Sequence, residues 1–217
     1  MPQPVKALTP ADIYVFIPNL IGYARVFTAI LSFFTMKNHP VITAFVYGLS
    51  CLLDAFDGTA ARKFNQATKF GAVLDMVTDR CTTSSLICFL AVLYPSWMIV
   101  FQLLISLDLA SHYMHMYAML SVGSTSHKDV DASQSKLLSL YYNDRTVLFV
   151  VCALNELFYM ALYLAYFDYF LFGKVLAWVT FPVWFFKQVT NVIQMRGASD
   201  KLVAIDAEER NKAFTSK

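Results

Sequence analysis

Residues 52–80 read LLDAFDGTAARKFNQATKFGAVLDMVTDR, and this stretch decides the fold. It contains four aspartates, Asp54, Asp57, Asp75 and Asp79, although the sequence on either side of it is strongly apolar. Ionisable side chains in apolar surroundings are costly unless they find a partner of opposite charge, and they commonly mark a functional site. The four carboxylates therefore have to be explained together with the apolar chain around them.

The composition predicts a polytopic membrane protein. Of the 217 residues, 58% are hydrophobic and only 15% are charged, and the mean hydropathy is +0.52. Both values lie far from those of soluble domains. We therefore expect membrane lipid, and no nucleic acid, as a partner of the chain.

Six segments are long and apolar enough for a bilayer crossing, which needs about 20 residues. They make the predicted fold all-α, with a membrane domain over residues 1–195 and a charged tail over 196–217. Within the membrane domain, Thr9, Pro10 and Asp12 form the pattern of a capped helix start, so residues 1–16 are predicted to be a short interfacial segment. The predicted spans are 17–36, 41–62, 70–94, 97–122, 146–171 and 175–195.

Lysine and arginine are distributed unevenly between the two sides of these spans. Twelve lie on the side that holds both termini, the 62–69 turn and the 123–145 loop, and two lie on the opposite side. Because cytoplasmic loops carry the excess of positive charge, this asymmetry predicts that both termini and the 62–69 turn face the cytoplasm. The endoplasmic reticulum membrane is the expected location, a prediction separate from the charge distribution.

The spacing of the acids places them on two facing helices. Asp54 and Asp57 lie three residues apart on one helix, and Asp75 and Asp79 lie four residues apart on the next, so each pair shares one helix face. A short turn joins the two helices, which must then run antiparallel. The two pairs are therefore predicted to meet at similar depth, one to two turns below the cytoplasmic surface, in a polar active-site cavity.

Four carboxylates in one small volume repel one another, and a bound cation removes the difficulty. Oxygen ligands without neighbouring His or Cys favour Mg²⁺ or Mn²⁺. Three other interpretations remain open at this point. The acids could form salt bridges with Arg62 and Arg80, they could belong to a transporter or proton relay, or they could serve an aspartate-rich prenyltransferase.

The same residues carry a family resemblance. Asp54-x-x-Asp57-Gly58-x-x-Ala61-Arg62 is followed, after eight residues, by Gly71-x-x-x-Asp75-x-x-x-Asp79. This pattern resembles the signature of the CDP-alcohol phosphotransferase family at all eight positions. Further stretches resemble the eukaryotic members of the family that use CDP-diacylglycerol and myo-inositol, namely IPNLIGYAR, SLDLASHYMH, TSHK and NELFY.

The resemblance implies an activity and a role for each residue of the pattern. The implied reaction transfers the phosphatidyl group of CDP-diacylglycerol to myo-inositol and releases CMP, with another acceptor alcohol as the alternative. A homodimer is also implied. Asp54, Asp57 and Asp75 would bind two divalent ions, and Asp79 would be the catalytic base and touch the second ion. The implied contacts with CDP-diacylglycerol are Gly58, Ala61, Arg62, Thr68 and Gly71.

Two further groups of residues are candidates on weaker grounds. Asn19 and Arg25 of PNLIGYAR lie near the cytoplasmic surface and could face the diphosphate, although ordinary helix packing would also explain them. Arg25 has no acid close to it in sequence, so a bound phosphate or one of the four aspartates is its expected partner. An inositol site needs fixed polar side chains, and the candidates are His127, Lys128, Tyr142, Arg145 and Asn155.

Overall fold

The computed structural model of the chain describes residues 8–121, 144–167 and 169–215. Within these ranges the chain is almost entirely helical and has no β-strand. A 3₁₀ turn at Pro95–Trp97 separates two of the helices. The α-helices of the described ranges are α1 (Pro10–Tyr14), α2 (Ile17–Thr35), α3 (Pro40–Lys63), α4 (Lys69–Leu93), α5 (Met98–Ser121), α6 (Arg145–Tyr166) and α7 (Phe170–Thr215).

Five helical segments of the described chain are long and apolar enough to cross a membrane, and they correspond to the first five predicted spans. The chain is therefore an all-α polytopic membrane protein. The fifth predicted span, which extended to residue 171, was too long. The helix ends at Tyr166, because the next residue, Phe167, takes an extended conformation. The sixth span, 175–195, lies within α7 and is not among the five, so its crossing stays a prediction. Helix α7 also continues without a break through the predicted boundary at residue 195.

The short first helix begins as its sequence predicts. The hydroxyl of Thr9 accepts a hydrogen bond from the Asp12 backbone N–H, and the Asp12 carboxylate accepts one from the Thr9 backbone N–H at 2.7 Å. Pro10 occupies the first helical position, where its missing N–H costs nothing. The Thr9 hydroxyl, and then its backbone N–H, lower the pKa of Asp12 because both hydrogen bonds favour the charged carboxylate. The capping box is confirmed.

The described chain divides into two compact units, one extending to Phe89 and the other beginning at Leu90. In the first unit, α2 packs against α3. The side chains at this contact are small or polar, whereas large apolar side chains such as Phe34 and Phe45 point outward. This inverted pattern suits lipid, because close helix approach and interhelical hydrogen bonds hold membrane helices together. The buried face of α2 consists of Pro18, Asn19, Gly22, Arg25, Ala29 and Ser32.

The turn between α3 and α4 is tight, and it brings the two acidic helices together. Asn65 has a φ of 51°, a left-handed conformation that Asn tolerates better than most residues. Thr68 then precedes α4, and its hydroxyl accepts a hydrogen bond from the Gly71 backbone N–H at 3.0 Å. The side chain of Gln66 accepts a hydrogen bond from the backbone N–H of Ile17 at 3.0 Å, which ties the turn to the start of α2.

In the second unit, α7 packs against both α5 and α6. Helix α7 closely approaches α6 at Gly173, where an added Cβ would lie 2.5 Å from the backbone nitrogen of Ala165. Further along the contact, the rings of Phe158 and Trp184 stack with their centroids 4.6 Å apart. The Tyr94 hydroxyl donates a hydrogen bond to the carbonyl of Leu162 at 2.9 Å.

Candidate active site

The candidate site lies in the first unit, where α2, α3 and α4 each contribute ionisable side chains. Helix α3 provides Asp54 and Asp57, and helix α4 provides Asp75 and Asp79. The side chain of Asp57 is 10% exposed, while those of the other three acids are 35–47% exposed. The prediction that the two acidic pairs meet is confirmed, because all four carboxylates contact one shared cation.

That cation is the guanidinium of Arg25 on α2. One terminal nitrogen, Nη1, lies 2.5 Å from Asp57 Oδ2 and 2.6 Å from Asp75 Oδ1. The other, Nη2, lies 2.5 Å from Asp54 Oδ1 and also contacts Asp79 Oδ1. Each nitrogen therefore joins one carboxylate of α3 to one carboxylate of α4. The aspartates, one of the two partners that the sequence left open for Arg25, contact it in the structure.

Three of the carboxylates are spaced as a metal site requires. Oxygen atoms of Asp54, Asp57 and Asp75 all lie within 4.8 Å of one another. Opposite oxygens around an octahedral Mg²⁺ are about 4.2 Å apart, since each Mg–O bond is about 2.1 Å. A small closure of the three side chains would therefore bring them into the coordination range of a hard divalent cation. The donor set, carboxylate oxygens alone, fits Mg²⁺ or Mn²⁺.

Salt bridges do form at the site, but not mainly with the arginines that the sequence proposed. Arg62 is exposed, and its guanidinium donates a hydrogen bond of 3.3 Å to the hydroxyl of Thr59. Arg80 contacts Asp79, with 3.5 Å between Nη2 and Oδ2. Among the described residues, the four acids therefore outnumber the two arginines that pair with them. A purely structural ion-pair network would not need the additional acids.

The two glycines of the sequence pattern meet different surroundings. A Cβ on Gly71 would lie 2.9 Å from Asn19 Oδ1 and 3.1 Å from Thr68 Oγ1, so α4 can approach Asn19 only because residue 71 has no side chain. A Cβ on Gly58 would lie 3.3 Å from the end of the flexible Arg62 side chain. Space at Gly58 is therefore not required by protein packing, whereas space at Gly71 is. Ala61 lies on α3, half-buried and one residue before Arg62.

Asn19 is buried at the start of α2. Its Nδ2 donates a hydrogen bond of 2.6 Å to the carbonyl of Ile13. Its Oδ1 has no hydrogen-bond donor among the residues that the structure describes. The amide therefore ties α1 to α2 and retains one free acceptor beside Gly71.

The predicted inositol residues are largely outside the described ranges. His127 and Lys128 both lie there, and the structure gives the backbone of Arg145 but not its side chain. Arg145 is the first residue of α6. Asp144 caps this helix, and its Oδ1 accepts hydrogen bonds from the backbone N–H groups of Thr146 and Val147.

Sequence analysis missed one residue that supports the site. The hydroxyl of Ser50 on α3 is buried and donates a hydrogen bond of 3.0 Å to the backbone carbonyl of Arg25. This contact fixes α2 against α3 at the level of the arginine. The signal was available, because Ser50, Asp54 and Asp57 lie at i, i+4 and i+7 and hence on one helix face.

Comparison with known proteins gives consistent matches over nearly the whole chain. Residues 15–186 match the family described as CDP-alcohol phosphatidyltransferase. The chain is 64% identical to a CDP-diacylglycerol–inositol 3-phosphatidyltransferase of Candida albicans, over 93% of this chain and 87% of that protein. Proteins of the same name from Saccharomyces cerevisiae (54% identity, 96% and 97% coverage) and Homo sapiens (47%, 93% and 97%) are also similar. No solved structure matches the chain.

Proposed function

The chain belongs to the CDP-alcohol phosphatidyltransferase family, and from this premise we propose that it transfers the phosphatidyl group of CDP-diacylglycerol to myo-inositol, releasing CMP. The observation that carries the proposal is the similarity over almost the full length to relatives that bear this name, at 47–64% identity. Family members with other acceptor alcohols share the aspartate pattern, so the pattern alone would not distinguish them. The chain-long similarity favours inositol.

The four aspartates are proposed to bind two divalent ions, Mg²⁺ or Mn²⁺. Asp54, Asp57 and Asp75 would hold them, with Asp79 touching the second, and the spacing of the first three supports this assignment. When bound, the ions would neutralise the diphosphate and stabilise the charge that develops on the departing CMP. Ion binding would explain why the cluster contains more acids than its arginine partners require.

Asp79 is the proposed general base. It takes the proton of one inositol hydroxyl while that oxygen forms a bond to the β-phosphorus, and the bond between this phosphorus and the bridging oxygen of CMP breaks. The proton remains on Asp79 until water removes it, and CMP leaves with the bonding electron pair. The partial exposure of Asp79, 35%, supports this role because the acceptor has to reach it.

The nucleotide is proposed to lie along the α3–α4 side of the cluster. Gly58 supports this placement because its missing side chain leaves room that no packed protein group uses. Ala61 is small and Arg62 is exposed one turn from Gly58, where its guanidinium can meet a phosphate. Thr68, Gly71 and Asn19 complete the proposed contacts. Of these groups, Oδ1 of Asn19 has no hydrogen-bond donor among the described residues and can therefore accept a hydrogen bond from the nucleotide.

Inositol is proposed to contact Lys128 and Arg145, with His127 beside them. If one of these residues holds the acceptor, Lys128→Ala or Arg145→Ala raises the KM for inositol much more than the KM for CDP-diacylglycerol. Equal effects on both substrates would instead indicate a structural role for the residue.

We further propose that the protein resides in the endoplasmic reticulum membrane, with the polar cavity and both termini facing the cytoplasm. The distribution of Lys and Arg supports this orientation. A cysteine at Ala67, exposed in the α3–α4 turn, should react with a membrane-impermeant reagent only from the cytoplasmic side. Ala67 suits this test better than Asn65, whose left-handed backbone a cysteine would strain. A cysteine at Asn38, in the opposite loop, is the matched control and should react only from the lumen.

The decisive assay measures CMP release from CDP-diacylglycerol by the purified protein with myo-inositol, serine, glycerol 3-phosphate and choline in turn. Only inositol should support release. Excess chelator should abolish the activity, and Mg²⁺ or Mn²⁺ should restore it. Release with another alcohol but not with inositol would contradict the proposed acceptor, and full activity in chelator would contradict the metal requirement. Crosslinking in membranes would check the homodimer that the resemblance implies.

A further inference from the structure

The position of Arg25 relative to the four acids carries an inference of its own. The guanidinium side chain is 2% exposed, whereas three of the four aspartate side chains are 35–47% exposed. The arginine therefore lies on the closed side of the cluster and the carboxylates open on the other side. A metal ion or a substrate arriving from water meets the acids first.

The contacts of Arg25 divide the carboxylate oxygens into two sets. Arg25 contacts Oδ1 of Asp54, Asp75 and Asp79 and Oδ2 of Asp57. Of the four other oxygens, Asp79 Oδ2 lies 3.5 Å from Arg80 Nη2. The second oxygens of the other three acids lie on the far side of each carboxyl group from the contacted oxygen.

The terminal nitrogens of Arg25 are both engaged by carboxylates. They donate hydrogen bonds to Asp57, Asp75 and Asp79 and form an ion pair with Asp54. A guanidinium has four terminal N–H groups and one on Nε, and the buried Nε has no acceptor among the described residues. A contact of Arg25 with the diphosphate stays a prediction.

We infer that Arg25 is a positioning residue for the metal ligands: it holds one oxygen of each aspartate from the buried side and thereby orients the carboxylates for binding the divalent ions. This inference rests on the proposed function. Fixed charge-assisted hydrogen bonds orient the carboxylates, and the positive charge offsets their mutual repulsion before any ion binds. Lysine cannot replace it, since a single ammonium has no planar fork to divide among four acids.

The test measures Mn²⁺ binding directly, by the electron paramagnetic resonance signal of free Mn²⁺ during titration of the purified protein. Loss of a group that orients metal ligands typically weakens metal affinity by about 10–100-fold. Arg25→Gln should raise the Kd for Mn²⁺ by that factor, and Arg25→Lys should recover little of it. Millimolar guanidinium added to Arg25→Ala should restore part of the affinity. At saturating Mn²⁺, the KM of Arg25→Gln for CDP-diacylglycerol should be close to that of the unmodified protein.

Arg80→Gln is the matched control, because it removes the same charge from a position that reaches one acid at 3.5 Å. It should change the Kd for Mn²⁺ by less than threefold. An unchanged Kd for Mn²⁺ in Arg25→Gln would overturn the inference. A lower Kd would also overturn it, because it would show that the guanidinium competes with the ions. An equal loss in Arg80→Gln would overturn it too, as a general effect of charge. If Arg25→Gln is unstable without metal, the titration is replaced by a measurement on the Mn²⁺-loaded protein. The measured quantity is the rate at which a chelator removes Mn²⁺. A rate no faster than that of the unmodified protein contradicts the inference.

The same titration separates this inference from the proposed function. If the unmodified protein binds no Mn²⁺, the metal requirement of the proposed function fails and the inference fails with it. If the unmodified protein binds Mn²⁺ and Arg25→Gln binds it equally well, only the inference fails. If the KM of Arg25→Gln for CDP-diacylglycerol rises at saturating Mn²⁺, the inference fails and Arg25 instead contacts the diphosphate.

Discussion

The two units of the chain bury polar side chains in different ways. In the first unit, four carboxylates converge on Arg25, with Arg80 as a second and more distant cation. In the second unit, the amides of Asn155 and Gln188 pair across α6 and α7, with 3.1 Å between Gln188 Nε2 and Asn155 Oδ1. The first arrangement has more acids than cations among the described residues, whereas this amide pair is neutral and joins two helices by one hydrogen bond.

The difference separates polar groups that hold helices together from polar groups that serve chemistry. Within a membrane, a neutral hydrogen bond between helices contributes modestly to their association and leaves no charge behind. An excess of buried negative charge destabilises the fold unless a cation compensates it. The acids of the first unit are therefore the residues whose loss should affect catalysis more than folding, and the amides of the second unit should show the opposite.

The largest expected effect concerns Asp79. Because Asn is nearly isosteric with Asp but cannot accept the proton, Asp79→Asn should lower kcat by about 10²–10⁴ while CMP binding in the presence of metal stays nearly normal. Asp75→Asn removes a proposed metal ligand, so it should weaken CMP binding as well as turnover. Steady-state kinetics and calorimetric titration with CMP distinguish the two.

A different outcome would reassign Asp79. If Asp79→Asn binds CMP as poorly as Asp75→Asn does, Asp79 acts mainly as a metal ligand and another group must accept the proton. Asn155→Leu serves as the comparison from the second unit. Its kcat should stay within about twofold of normal if the Asn155 amide only joins α6 to α7.

Much of the first unit could be predicted from the sequence because its signals are local. Helix periodicity placed Asp54 with Asp57 and Asp75 with Asp79, and the short turn brought the pairs together. The shared partner could not be predicted uniquely, since Arg25 is far from the acids in sequence and a guanidinium can reach several positions from one helix. Charge alone favoured Arg62 and Arg80, which are nearer in sequence but contribute little.

The second unit was harder to predict, for a physical reason. Helices α5 and α7 show only weak hydrophobic periodicity. Helix α7 also continues past the predicted membrane boundary, because neither residue 195 nor residue 196 is a helix-breaking residue. The close approach at Gly173 was missed as well. A glycine next to a charged turn suggests a loop, and only the packing of α7 on α6 shows that the absence of a side chain is what matters.

The second prediction compares glycines of the two units. A Cβ at Gly173 would lie 2.5 Å from Ala165 N and 2.7 Å from Ala161 O, both backbone atoms that cannot move aside cheaply. Gly173→Ala should therefore destabilise the protein by about 1–3 kcal/mol, the usual range for overpacking. Thermal unfolding in detergent measures the effect, and the catalytic constants of the folded fraction should be unchanged.

Gly58→Ala should behave in the opposite way, with near-normal stability and a raised KM for CDP-diacylglycerol. The added methyl meets only the mobile end of Arg62, but it fills space proposed for the nucleotide. Gly48→Ala is the control for both variants because no atom lies within 4 Å of its Cβ position. Unfolding of Gly58→Ala at a temperature as low as that of Gly173→Ala would contradict the distinction between the units.

The smallest expected effect tests whether the amide pair of the second unit has only a structural role. Asn155→Leu, Gln188→Leu and the double variant form a cycle that isolates the pair from the other bonds of each amide, those of Asn155 to Glu156 and of Gln188 to the Trp184 carbonyl. Interhelical hydrogen bonds in membranes average about 0.6 kcal/mol, so the coupling free energy of unfolding should be near that value. The KM for inositol should not change in any of the three variants. A rise in this KM in Asn155→Leu, with no coupling in stability, would mean that a neutral amide of the second unit binds the acceptor. The division between the units would then fail, because polar groups that carry no charge would also serve the chemistry.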